Sequence, residues 1–462
     1  MKKLIWGLPF ALTVFIGACF TNRSSALDAG IQPISSEAVR AEFQHAWSGY
    51  KKYAWGHDAL RPISRQPRNW YSHSLLMTPV DGYDTMVIMG LTAERAEAKD
   101  LILSRLSFNH DMSVQHFEVS IRILGGLLSA HELEGDPRFL GLAKELADRM
   151  LPVFNSPTGM PYRYVNLKTG KTFGNISCPA EVGTYILEYG TLSRLTGNPV
   201  YFEKAKRAMV ELHKRRNPET GLVGGGIDVD TGRWTSTVVG VGGGVDSYFE
   251  YLLKGALLFD DPDLKRMWAE TIAAINGHLA EEVSDPRLKS RLRLWYGRAD
   301  MNTGRIVAPH FGSLDAFFPA LLALGGDLDR AGRLQQSCLA MWDLHGTEPE
   351  LLDYQRMTAL VTVYPLRPEI VESAYYLHHY TGDPEYRRMG ERFWRDMVRR
   401  CRTAEGYSGL LDVRTGLKSD DMESFFFAET LKYYFLLFSP PEACDFDGVV
   451  FNTEAHPLRL RK

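Results

Sequence analysis

Residues 121–133 (IRILGGLLSAHEL), the turn Gly135-Asp136-Pro137 and residues 139–151 (FLGLAKELADRML) decide the fold of this chain. The first segment is apolar on nearly every face, which marks a helix with no side open to water. The second carries its apolar residues on one face, which marks a helix at a surface. In the turn, glycine can adopt the left-handed conformation that ends a helix, aspartate can cap the next one, and proline suits its first position. The stretch therefore reads as a helical hairpin: one buried member, one half-exposed member.

The unit recurs. Further turns are Gly197-Asn198-Pro199, Asp260-Asp261-Pro262, Gly325-Gly326-Asp327 and Gly382-Asp383-Pro384. Taking positions 136, 198, 261, 327 and 383, the intervals are 62, 63, 66 and 56 residues. Such spacing is the mark of a repeat architecture. Strongly apolar segments precede the turns (185–195, 248–259, 317–324, 371–380), and amphipathic ones follow (201–213, 264–279, 386–398). Residues 36–53 with 80–90 and the flank to about 107 are expected to supply one more hairpin. Residues 423–438 supply a last inner helix that closes a ring. The expected fold is all-α: an α/α toroid of six or seven hairpins, with an open helical solenoid as the competing arrangement. Residues 162–170 and 221–234 read as small β-hairpins on the loop face. In a toroid of hairpins the inner helices all run the same way, so their N-termini gather at one mouth.

The composition fits one large folded chain: 462 residues, 45% hydrophobic and 24% charged. A net charge of −3, from 53 basic and 56 acidic residues, argues against a nucleic-acid partner. Residues 1–26 read as an export signal, with Lys2 and Lys3 ahead of the apolar run 4–18. Ile16-Gly17-Ala18-Cys19 resembles a bacterial lipobox, in which Cys19 would be acylated, whereas Ser24-Ser25-Ala26 offers an ordinary cleavage site. The expected location is exported: periplasmic, or lipid-anchored to a bacterial membrane through Cys19. Cys178, Cys338, Cys401 and Cys444 lack metal-ligand spacing and read as buried thiols, with room for one incidental disulfide.

Carboxylates sit in or at the start of the buried helices, which is costly unless they are partnered or used. They are Glu118, Glu181, Asp246 with Glu250, Glu369 with Glu372, and Glu423 with Glu429. Each has a structural reading: Asp246 as a helix cap, Glu369 favouring a helix dipole, Glu118 and Arg122 as an ion pair four residues apart. Five inner helices sharing the feature point instead to an acidic mouth. Trp55, Trp70, Phe249, Tyr251, Phe425 and Phe426 are candidates for its aromatic wall. Aromatic faces stack on pyranose rings, and two carboxyl groups are the minimum equipment for glycoside hydrolysis. The phosphate-binding loop, the Gly-x-Ser-x-Gly elbow and the His-Glu-x-x-His metal motif are all missing from the sequence.

At these residues the chain resembles glycoside hydrolase family 47, the class I α-1,2-mannosidases. The resemblance is carried by Val80-Asp81-Gly82-Tyr83-Asp84-Thr85, by Phe117-Glu118 through Ser129, and by Asp246-Ser247-Tyr248-Phe249-Glu250-Tyr251. It continues in Leu366-Arg367-Pro368-Glu369-Ile370-Val371-Glu372-Ser373, Met422-Glu423-Ser424-Phe425-Phe426 and Phe451-Asn452-Thr453-Glu454-Ala455-His456. It implies a single catalytic (α/α)7 barrel over residues 36–458 and a calcium-dependent, inverting exo-α-1,2-mannosidase. Its substrate would be a mannose-containing glycan, and the protein a monomer. Glu118 matches the general acid, Glu369 the general base and Asp246 a third essential acid. Arg122, Glu181, Arg367, Glu372, Phe425, Glu429 and Glu454 match positions that order sugar or water. Thr453 matches the residue that ligates Ca2+ through hydroxyl and carbonyl oxygens. Gly244 stands where some relatives carry arginine, which bears on branch preference; Ser313 stands where trimming members often carry histidine, which resembles the family's quality-control branch; and Ala316 replaces an expected cysteine, so its usual disulfide partner is missing. A mannose-binding protein without turnover is the alternative from another class.

Overall fold

Aspartate caps the outer helices as the turn chemistry requires. The side chains of Asp136, Asp261, Asp327 and Asp383 accept from main-chain N–H groups at the starts of helices Pro137–Met150, Pro262–His278, Leu328–Trp342 and Pro384–Cys401. Gly135, Gly197 and Gly382 end the preceding inner helices with φ of 72°, 73° and 66°. Asp260 takes the same left-handed role at φ 53° without glycine's freedom.

The computed structural model describes residues 32–285 and 292–460. The export signal expected at residues 1–26 lies outside the described residues. From Ser35 onward the chain forms one compact unit. Among the described residues, seven inner segments pair with seven outer helices, an (α/α)7 toroid. The inner segments begin at Met77, His116, Pro179, Asp246, Leu314, Glu369 and Phe426.

One pairing differs from the sequence expectation. Helix Ser36–Ala54 does not partner residues 80–90. It is the outer helix of the last inner segment, Leu431–Phe438, while Tyr83–Ile88 pairs with Thr92–Arg105. Phe43 and Trp47 meet Phe427 at ring distances of 5.2 and 5.9 Å. The first helix thus closes the ring on the last, a choice that local spacing does not carry.

A buried ionic cluster ties the same seam. His456 donates or accepts at Asp84 (2.7 Å) and Asp81 (3.1 Å), and Lys432 pairs with Asp84 at 2.7 Å. All four side chains are fully buried. Ser129 and Ser424 donate to Asp84 and Asp81. The cluster joins the first, second and last inner segments to the C-terminal turn.

That turn, residues 452–456, is the tip of a hairpin in which Val449–Phe451 pairs antiparallel with Pro457–Arg459. The hairpin packs against inner helices Asp246–Phe259 and Gly125–Glu134. The expected hairpin at 162–170 is part of a three-stranded sheet of Ser113–Gln115, Tyr164–Asn166 and Thr172–Phe173. That at 221–234 joins Gly226–Asp228 and Trp234–Ser236 to Ile176–Ser177. These sheets position the site: Ser113–Gln115 runs straight into the helix bearing Glu118, and Ile176–Ser177 precedes the one bearing Glu181.

Candidate active site

The inner-helix N-termini surround a cavity of 330 Å³. It is lined by Glu118, Arg122, Glu181, Asp246, Arg367, Glu369, Glu372, Phe425, Glu429, Thr453 and Glu454. The residues that the family resemblance assigns to the site therefore face one space, although they span more than three hundred positions of the chain.

Glu118 lies on the short helix His116–Val119, whose continuation Ser120–Leu124 is a π-helical turn that carries Arg122. A second π-turn, Phe426–Thr430, carries Glu429. Such bulges re-aim side chains and recur at functional sites. Arg122 donates to Glu118 at 2.9 Å, pairs with Glu454, and lies 3.6 Å from Asp81. Burial would lower the charge on Arg122, but Glu454, Glu118, Asp81 and Glu429 hold it firmly protonated. Glu118 is itself 22% exposed, so solvent protons reach it.

Asp246 and Glu369 each open an inner helix. Burial pushes the Asp246 carboxyl up to about 6, with Glu250 and Asp315 adding to the rise, while the Ser247 N–H (2.9 Å) opposes it. Glycines make room for this helix start: a Cβ on Gly242 would lie 2.6 Å from Asp315, and one on Gly243 2.9 Å from Leu314. Burial also pushes Glu369 up to about 7; Arg367 draws it down, and Glu350 and Asp246 push it up. Among the described residues, Glu369 Oε2 has no hydrogen-bond partner. Leu366, just upstream, is buried at φ +66°, a strained conformation for a branched side chain.

Arg367 is held by Glu350 at 2.6 and 3.2 Å, and Ser313 donates to the same carboxylate at 2.7 Å. The sequence reading missed Glu350; its place directly after Pro349, in the loop before strand Leu351–Asp353, carried no signal. The guanidinium carbons of Arg122 and Arg367 each lie 5.7 Å from the centre of the Phe425 ring, which stands between two cations. Glu181 is gripped by Arg163 (2.5 and 2.7 Å), Gln115 (2.7 Å) and Ser177 (3.3 Å). Glu250, beside Asp246, pairs with the buried Lys254.

The aromatic wall is smaller than expected. Phe425 lines the cavity, joined by Phe117 and Phe317. Trp70 sits behind Arg122 at 5.3 Å. Phe249, Tyr251 and Phe426 are buried in the core and do not line the cavity. Trp55 packs edge-on to Trp47 and Tyr50. Cys338 and Cys401 are buried as expected, Cys178 and Cys444 only partly, and all four are free.

At the cavity floor the carboxylates crowd. Glu372 and Glu454 are each pushed up to about 8 and Glu429 well above the usual range, by burial first and then by one another and their acidic neighbours. Arg122 and Lys254 are the cations that oppose this. A hard divalent cation fits such an all-oxygen surround of hydroxyl and carboxylate. Among the described residues no three His, Cys, Asp or Glu side chains are grouped as direct metal ligands.

This arrangement matches known proteins over almost the whole chain. The profile of glycosyl hydrolase family 47 matches residues 42–460. The human ER degradation-enhancing alpha-mannosidase-like protein 2 is 37% identical, covering 91% of this chain and 77% of its own. Human mannosyl-oligosaccharide 1,2-alpha-mannosidase IB is also 37% identical, over 91% of this chain and 69% of its own. The solved alpha-1,2-mannosidase from Trichoderma reesei superposes with a TM-score of 0.85 at 28% identity, covering 92% of this chain and 99% of its own. With one profile spanning the toroid from its first outer helix to its last hairpin, and the cavity built from the residues that carry the resemblance, the chain belongs to glycosyl hydrolase family 47.

Proposed function

We propose that this protein is a calcium-dependent, inverting exo-α-1,2-mannosidase that removes terminal mannose from high-mannose glycans or manno-oligosaccharides. The observation that carries the reading is the single cavity that Glu118, Asp246, Glu369 and Thr453 line together. Thr453 and Glu454 of the 452–456 turn are among the residues that line it.

Glu118, reached by solvent and oriented by Arg122, delivers a proton to the departing oxygen. Glu369, ionised in part near neutrality and fixed at a helix start, takes the proton from the attacking water. Asp246 lies close enough to raise the proton affinity of Glu369 and shares the water network with it. Glu181, Arg367, Glu372, Glu429 and Glu454 hold sugar hydroxyls and water, and Phe425 offers its face to a ring. Thr453 would hold the cation, with Glu372, Glu429 and Glu454 as the surrounding charge. When bound, the ion would supply a hard Lewis acid for sugar oxygens.

Release of mannose from α-1,2-mannobiose, with β-mannose as the first anomer, is the expected result. Chelation should abolish it and calcium restore it. Tight binding without release in the presence of calcium would favour a lectin. α-Mannosyl fluoride, whose leaving group needs no proton, separates the roles: Glu118→Gln should retain most of its turnover on this substrate, and Glu369→Gln should not. We further propose export, supported by residues 1–26 alone. The mass of the mature N-terminus distinguishes acylation at Cys19 from cleavage after Ala26.

A further inference from the structure

Thr453 is presented by a turn whose shape is set from outside the cavity. Asn452 is the hub. Its Nδ2 donates to the Ile121 carbonyl (2.9 Å) and to Glu188 Oε1 (2.8 Å). Its Oδ1 accepts from the main-chain N–H groups of Glu454 (2.9 Å) and His456 (2.8 Å). Tyr251 completes the frame: its hydroxyl donates to the same Glu188 oxygen at 2.6 Å and accepts from the Thr453 N–H at 3.3 Å. Ala455 is held at φ +56° within the turn. A Cβ on Gly125 would lie 2.6 Å from Asn452 Nδ2, so the bare helix surface lets the turn seat itself.

Glu188 and Tyr251 are fully buried and Asn452 is almost so. None of the three lines the cavity, so they do not touch substrate. Glu188 lies on inner helix Ile186–Thr196 and Tyr251 on Asp246–Phe259. One carboxylate oxygen thus joins two inner helices to the hairpin tip. The Thr453 N–H bond orients the peptide ahead of Thr453, and the Glu454 N–H bond to Asn452 orients the peptide after it, which contains the Thr453 carbonyl. Burying a carboxylate is costly, which makes the bond pattern informative.

We propose that Glu188, Tyr251 and Asn452 are positioning residues that pre-set the Thr453 oxygens for the divalent cation. The inference rests on the calcium reading above. Partners of this kind behind a metal ligand typically change affinity about 10- to 100-fold when removed.

The test is calcium titration of the chelator-treated full chain by calorimetry, alongside its thermal unfolding without calcium. Tyr251→Phe keeps the ring and deletes the hydroxyl, and Glu188→Ala deletes the bridge; both should bind calcium about 10-fold or more weakly. Glu188→Gln retains an oxygen acceptor and should stay within about 3-fold of the native protein. A Tyr251→Phe protein that folds and binds calcium with native affinity would overturn the proposal. A Glu188→Gln protein as weak as Glu188→Ala would also overturn it, since charge and not placement would then matter. A native protein that binds no calcium would instead sink the calcium reading itself.

Discussion

Glu369 shows how one residue acquires its chemistry. On a helix start in water it would be an ordinary carboxylate. Here burial outweighs Arg367 and pushes it up to about 7. As the proposed base it must be deprotonated to act, so kcat/KM should fall as pH drops through about 7, which a pH profile on mannobiose measures. Glu369→Gln should cost about two to four orders of magnitude in turnover with the fold intact. Glu350 contributes to the raised value through its negative charge. Glu350→Gln keeps an acceptor for Arg367 while removing that charge, so the acid limb should move to lower pH. An unmoved limb would show that burial alone sets it.

At the scale of elements, the hairpin turns cap helices, whereas the π-turns carry the cavity-lining Arg122 and Glu429. Asp383 caps Pro384–Cys401 through the Glu385 N–H at 2.8 Å, far from the cavity. Asp383→Ala should cost about 1 kcal/mol of stability by denaturant unfolding and leave kcat unchanged. Gly125→Ala differs, because its new methyl would meet Asn452 and His456 at 2.6 and 3.0 Å inside a packed core. It should lower both the unfolding temperature and calcium affinity. The hydrophobic pattern told inner from outer helices because full burial needs apolar residues all round, and that property is local. It did not reveal the π-turns at Ser120–Leu124 and Phe426–Thr430, since a single inserted residue barely disturbs a helical period.

For the whole molecule, closure depends on the ionic seam. Burial disfavours the charged form of His456, yet Asp84 and Asp81 outweigh it and push the imidazole up to about 9. A group raised on folding contributes stability that is fully present below its unfolded value and lost as pH climbs through the folded one. The seam should therefore weaken as pH rises from about 7 to above 9, read as a falling unfolding free energy. Asp84 is the opposite case: burial pushes it up, but Lys432 and His456 bring it below the usual range. Its contribution is lost as pH falls through that lowered value. Removing His456 leaves Asp81 and Asp84 short of a partner, and His456→Ala should cost about 3–5 kcal/mol.

The amino-acid sequence by itself determined the helical hairpins, their inner and outer members, and the identities of the acids, because capping, periodicity and motif are properties of neighbours along the chain. Tertiary structure alone decided that the first helix closes on the last and that Phe249, Tyr251 and Phe426 are core. It also decided that Glu188 and Glu350 support the site from behind. Those facts depend on which surfaces meet across hundreds of residues, and on how far burial shifts a proton, neither of which any local stretch encodes.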